Sequence, residues 1–219
     1  MSARRLAVVT AGISQPSSSR LLADRLAGVT VDALRERGID ADVTVVEARD
    51  LAHDLVDNLL TGFPSPRLRA AIDSVTGADG IVAVSPVFSA SYSGLFKTFF
   101  DVLEMDALRG TPVALGATGG SERHSLALDH ALRPLFAYLG AATVPTGVFA
   151  ATDDWGDPDA AAGLRVASSA KGVSSRRPWA AMRRSSRATV RGPCRSPGCW
   201  PARVARTRDS RAGGRQPVR

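Results

Sequence analysis

The chain counts 219 residues, with 28 Lys/Arg against 21 Asp/Glu and a formal net charge of +7. That charge belongs to one end: residues 1–166 hold 14 Lys/Arg against 20 Asp/Glu, a net of −6, and the last 53 hold 14 Lys/Arg against the single acid Asp209, a net of +13. The overall basicity is therefore no nucleic-acid signal for residues 1–166, which suffice for one domain and hold no apolar run near the ~20 residues that span a bilayer.

The N-terminus enters an apolar run almost at once, without the length or cleavage pattern of a signal peptide, which predicts a cytoplasmic protein. Residues 6–9 form a short continuous apolar run, as a strand covered on both faces does. A serine-rich loop follows, and then Leu22, Leu26, Val29 and Ala33 recur at helical spacing, with Gly38 past the end where left-handed backbone is needed. Val43 and Val45 alternate with Asp42 and Thr44, which predicts a half-exposed edge strand.

Residues 81–84 and 113–115 again read as buried strands. Phe96, Phe99 and Leu103 mark a helix between them, and Leu128, Leu132, Leu135 and Leu139 mark another that ends before Gly140. Pro134 lies inside this last helix and predicts a kink or an irregular turn. A final strand is expected within 142–149, with Pro145 near its middle. This alternation predicts an α/β fold: a doubly wound, parallel, five-stranded sheet, ordered 2-1-3-4-5 because the second strand is an edge.

From residue 167 the composition shifts to Arg, Ser, Pro, Gly and Ala without apolar periodicity. The expectation is a domain over 1–166 and a disordered basic tail over 167–219. Cys194 and Cys199 both fall in the tail without a neighbouring histidine, so the domain has no disulfide and a metal site is not expected. Two readings of the tail stand: a basic arm for an acidic partner or nucleic acid, or, favoured because residues 157–166 begin a helix that 168–172 fail to complete, a translation product of a shifted reading frame.

In such a sheet ligands bind beyond the carboxyl ends of the strands, and three loops leave those ends. In residues 10–20, Ser14, Ser17, Ser18 and Ser19 cluster at a helix start, where hydroxyls, amides and the helix dipole suit a phosphate, and Arg20 adds a charged donor. The loop carries neither Gly-x-Gly-x-x-Gly nor a Gly-Lys-Ser/Thr continuation. In residues 85–94, Pro86 stiffens the loop, Phe88 and Tyr92 offer flat apolar surface, and Ser89 and Ser91 supply donors; a planar ring suits this loop, or both aromatics belong to the core. In residues 117–125, Gly119 and Gly120 admit close approach and Thr118 can bond a ring edge. Lys97 reads as an ion-pair partner, His124 as a loop histidine within reach of a nucleotide, and Asp153 and Asp154 as a solvated turn; His53 and His130 carry no role.

Residues 14–20 (Ser-Gln-Pro-Ser-Ser-Ser-Arg), 85–88 (Ser-Pro-Val-Phe), 91–97 (Ser-Tyr-Ser-Gly-Leu-Phe-Lys), 118–121 (Thr-Gly-Gly-Ser) and 132–136 (Leu-Arg-Pro-Leu-Phe), with Gly140, occur in this order. In these motifs the chain resembles the flavodoxin-like NAD(P)H-dependent FMN reductases, above all the subgroup that supplies reduced flavin to flavin-dependent monooxygenases. The resemblance implies an oxidoreductase that moves a hydride from NADPH or NADH to FMN, with no catalytic dyad. It implies that the first loop, with Pro16, holds the FMN phosphate. Pro86, Val87, Phe88 and Ser89 would then touch the isoalloxazine, and Thr118, Gly119 and Gly120 its pyrimidine side. Gln15 stands where many such proteins carry Arg, and Phe88 where many carry Tyr. A homodimer or tetramer and a monooxygenase partner follow from the same resemblance, and no membrane partner is expected. A quinone or azo-dye reductase, or a flavodoxin-type electron carrier without NAD(P)H turnover, are the alternatives on this fold.

Overall fold

The computed structural model describes residues 3–155 and 166–167. Apart from Ala167, the predicted tail lies outside the described residues. Strand β1 (Arg4–Thr10) pairs in parallel with β2 (Ala41–Glu47) on one side and β3 (Gly80–Phe88) on the other; β3 pairs with β5 (Pro112–Gly119), and β5 with β7 (Gly147–Ala151). The main strands thus run in the predicted order 2-1-3-4-5. Three short strands enlarge the predicted five: β4 (Ser91–Tyr92) is antiparallel to β3, β6 (Ala142–Thr143) pairs with β5, and β8 (Val166–Ala167) lies antiparallel along β7. The last predicted strand is split into β6 and β7 around Pro145, which has no N–H to offer the ladder.

Alternation along β1 assigns its side chains to two faces. Leu6 and Val8 pack with Leu22, Ala23 and Ala27 of α1 (Ser18–Arg35); Ala7 and Val9 pack with Leu68, Ile72 and Val75 of α3 (Pro66–Thr76) and with the aromatic cluster. That cluster joins Phe96, Phe99 and Phe100 of α4 (Gly94–Asp101) to Phe136 of α5 (Arg133–Tyr138), with ring centroids 4.8 Å apart for both Phe96–Phe100 and Phe100–Phe136. Each such buried side chain contributes about 1.5–3 kcal/mol.

Several expectations need correction. The buried face of α1 is Ser19, Leu22, Ala23, Ala27, Thr30 and Leu34, while Val29 is 63% exposed: small residues at 23 and 27 let the helix approach the sheet, which an apolar-only stripe overlooks. Two helices, α2 (Ala52–Thr61) and α3, fill the β2–β3 crossover. Strands β3 and β5 extend to Phe88 and Gly119, so 85–88 and 117–119 are sheet rather than loop. The helix around Pro134 begins as a π-helical turn over Leu128–Leu132 and becomes α-helical at Arg133; the proline at its first turn cannot donate, so the wider turn ends there. Gly38 and Gly140 have φ of +71 and +73, as expected past two helix ends.

Candidate functional site

The serine loop is closed by its own side chains. Ser17 caps α1, its Oγ accepting from the Arg20 N–H at 3.2 Å, and the first turn of the helix carries no acid to neutralise its positive end. Gly12 makes the loop possible: a Cβ there would lie 1.9 Å from Ser17 Oγ. At its base, Thr10 Oγ1 is buried without a hydrogen-bond partner among the described residues, a donor left over beneath the loop. The Gln15–Pro16 peptide is cis.

The second element is a tight hairpin. Val87 faces Tyr92 and Phe88 faces Ser91 across β3 and β4, and the two turn residues, Ser89 (φ 50) and Ala90 (φ 66), are left-handed, as a primed two-residue turn demands. Ser85 Oγ accepts from the Ser93 N–H and donates to the Pro86 carbonyl, both at 2.9 Å, so the hairpin is fastened to the start of α4. The two aromatics separate. Tyr92 joins the core, 6.2 Å from Phe96, while Phe88 remains 46% exposed.

The third element sits between its neighbours in the sheet: Thr118 lies opposite Pro86 of β3 and Ala150 of β7. Its Oγ1 is 2.7 Å from Ser19 Oγ, a buried hydrogen bond that ties the serine loop to β5.

Together these elements line an open cavity of about 450 Å³, within the usual range for a small-molecule site. Of the residues singled out from sequence, Ser14, Ser17, Ser18, Ser19, Pro86, Val87, Phe88, Thr118, Gly119 and Gly120 line it. Pro16, Arg20 and Ser89 do not. Ser89 is taken up by the hairpin turn. The Arg20 guanidinium bonds Asp24 at 2.8 Å and also Glu47, which itself meets Arg49 at 3.5 Å; Asp24, first, and Glu47 hold the Arg20 pKa above its ordinary value against desolvation. Arg49 donates to the carbonyls of Ile13 and Ser14, both at 3.3 Å, and so supports the loop from the β2–α2 turn.

Four lining residues escaped the sequence reading: Gly12, Ile13, Thr152 and Trp155. The first two lie in the loop already singled out. Thr152 and Trp155 belong to a 3-10 turn after β7, and the lone tryptophan in that polar stretch was the available signal. Asp154 is not merely solvated there: its Oδ2 accepts from the Ala151 N–H at 2.8 Å.

No lining side chain among the described residues is charged, so an anion at the serine loop meets hydroxyls, amides and the helix terminus instead of a cation. Beside it, Gly120 has open space where a Cβ would stand, and Phe88 offers a flat apolar face. A phosphate at one end and a planar ring at the other therefore fit the residues present. His124 packs over Gly119, its Nδ1 3.6 Å from where a Cβ would be, and is not in the lining; Lys97 pairs with Asp101. No group of three or more potential metal ligands occurs among the described residues.

Residues 4–156 match the family described as NADPH-dependent FMN reductase. The chain is 38% identical over 151 residues to an FMN reductase (NADPH) of Pseudomonas aeruginosa, covering 69% of this chain and 78% of that protein. It is 40% identical over 149 residues to the NADH-dependent FMN reductase SfnF of Pseudomonas putida, covering 68% and 78%. Among solved structures, an oxidoreductase from Corynebacterium diphtheriae superposes with a TM-score of 0.70 at 47% identity, over 73% of this chain and 88% of that one. An NADH:FMN oxidoreductase in its apo form gives 0.64 at 30% identity, over 74% and 84%. With the family matched across the sheet and all three site elements, the chain belongs to the NADPH-dependent FMN reductase family.

Proposed function

We propose that this cavity takes FMN and that the protein is an NAD(P)H-dependent FMN reductase, passing a hydride from a nicotinamide nucleotide to the flavin. The observation that carries the reading is the union of all three elements in one cavity, with the buried Ser19–Thr118 hydrogen bond between two of them. FMN, when bound, supplies the hydride-accepting chemistry itself.

The chain's part is to bind and orient. Ser14, Ser17, Ser18 and Ser19 offer hydroxyls at the start of α1, where the helix dipole favours a phosphate. Val87 and Phe88 provide apolar surface for a planar ring. Gly120 leaves backbone bare for a polar ring edge, next to Gly119 in the same lining. Holding the reacting partners at near-contact distance is where such a site gains rate. No lining side chain among the described residues is an acid or base.

The finer parts of the proposal are a flavin-dependent monooxygenase as consumer of the reduced flavin, a cytoplasmic location and a homo-oligomer. No described helix is long and apolar enough to cross a membrane. Val56, Leu59, Leu60 and Phe63 expose apolar surface along and just beyond α2, which supports self-association.

The test is calorimetry of the full chain with FMN, followed by nicotinamide oxidation with and without FMN. Heat of binding and FMN-dependent turnover are expected. Binding without turnover would make it an electron carrier, and the absence of both binding and turnover would refute the reading.

A further inference from the structure

Trp155 lies beyond the three strand-end loops, yet it lines the same cavity as the serine loop. We propose that Trp155 is a flavin-binding residue and that Arg25 is the positioning residue that holds its indole against the site. The inference rests on the cavity being the FMN site.

Trp155 ends the turn Thr152–Trp155, and that turn is closed from within by the Asp154 side chain on the Ala151 N–H. Its indole packs, partly buried, on the cluster formed by Leu22, Ala23 and Ala27 of α1 with Leu6 and Val8 of the sheet. From the same helix, Arg25 reaches over the ring, its Cζ 5.0 Å from the centroid, within cation–π distance. Two separate contacts therefore set the indole on the α1 side of the cavity.

What the indole does there follows from the rest of the lining. The serine loop presents neutral donors, and their hydrogen bonds to a phosphate strengthen as water is excluded. A broad, rigid aromatic wall in the same lining as Ser14, Ser17 and Ser18 excludes that water at low entropic cost.

The test is FMN titration of the full chain and its variants, with melting curves recorded without ligand. Trp155→Ala should weaken FMN by about tenfold, and Trp155→Phe, which keeps a flat ring, by less than about threefold. Arg25→Met should weaken it by about threefold, Arg25→Lys should recover most of that, and Arg25→Met should change nothing further in the Trp155→Ala background. If Trp155→Ala fails to fold, Trp155→Leu replaces it with the same expectation. Wild-type affinity in Trp155→Ala would overturn the binding role, and an equal Arg25→Met effect in both backgrounds would overturn the positioning role. A wild-type chain that does not bind FMN defeats the functional reading itself; one that binds it while the Trp155 variants bind equally well defeats only this inference.

Discussion

Ser19 Oγ and Thr118 Oγ1 lie 2.7 Å apart in a buried hydrogen bond that spans 99 residues of sequence. One hydroxyl must donate, so each is matched only while the other is present. Thr118→Val should leave Ser19 without its partner and destabilise the protein by about 1–3 kcal/mol. Thr118→Ser should lose little. Combining Thr118→Val with Ser19→Ala should cost less than the sum of the singles. Urea unfolding of the four proteins measures this, and strict additivity would mean the bond contributes nothing.

Gly12 is where the serine loop folds back against Ser17. In Gly12→Ala the new Cβ would meet Ser17 Oγ at 1.9 Å, so the Ser17 side chain must rotate away and release the cap on Arg20 N–H. Loss of an N-cap costs about 1 kcal/mol, and the displaced hydroxyl should weaken FMN by about tenfold. Unchanged FMN affinity in calorimetry would show that Ser17 does not touch the ligand.

Arg20 is committed to carboxylates on both sides, Asp24 and Glu47. Arg20→Gln should therefore change FMN affinity by less than about threefold, the range expected of a surface ion pair and the helix dipole. A loss of tenfold or more on titration would show that the guanidinium leaves its partners to meet the phosphate.

Asp79 ties the start of β1 to the turn before β3. Burial pushes its carboxyl up, but the Arg5 N–H at 2.9 Å, the Arg4 guanidinium at 2.9 Å and the charges of both arginines outweigh this, and the net pKa lies below the ordinary 3.8. A carboxylate with a depressed folded pKa stabilises above its unfolded value and loses that contribution as pH falls through the folded one. Asp79→Asn should thus be less stable than wild type at neutral pH, with the gap closing below about pH 4. Chemical denaturation at neutral and acid pH checks it; a gap that widens in acid would contradict the sign.

Much of the site was legible because its chemistry is local. Four serines before a helix, a proline–aromatic pair after an apolar run and a double glycine after another each have a bland reading singly, and signal a ligand site only together. Ser85 was legible only as a loop serine; that its hydroxyl fastens the hairpin to α4 depends on Ser93, eight residues on. The exposure of Val29 was not legible, since periodicity ranks residues by apolarity, whereas Ala23 and Ala27 are buried for their small size.

The amino-acid sequence alone determined the strand order, the edge position of β2 and the three strand-end segments, because these depend on burial period and turn chemistry within a few residues. Tertiary structure alone decided which side chains share the cavity. It turned Arg20 toward carboxylates, sent Tyr92 to the core and Phe88 to the site, and brought Trp155 beside a loop 140 residues earlier in the chain. Those outcomes are set by competition among distant partners for the same space and charge, which no local pattern encodes.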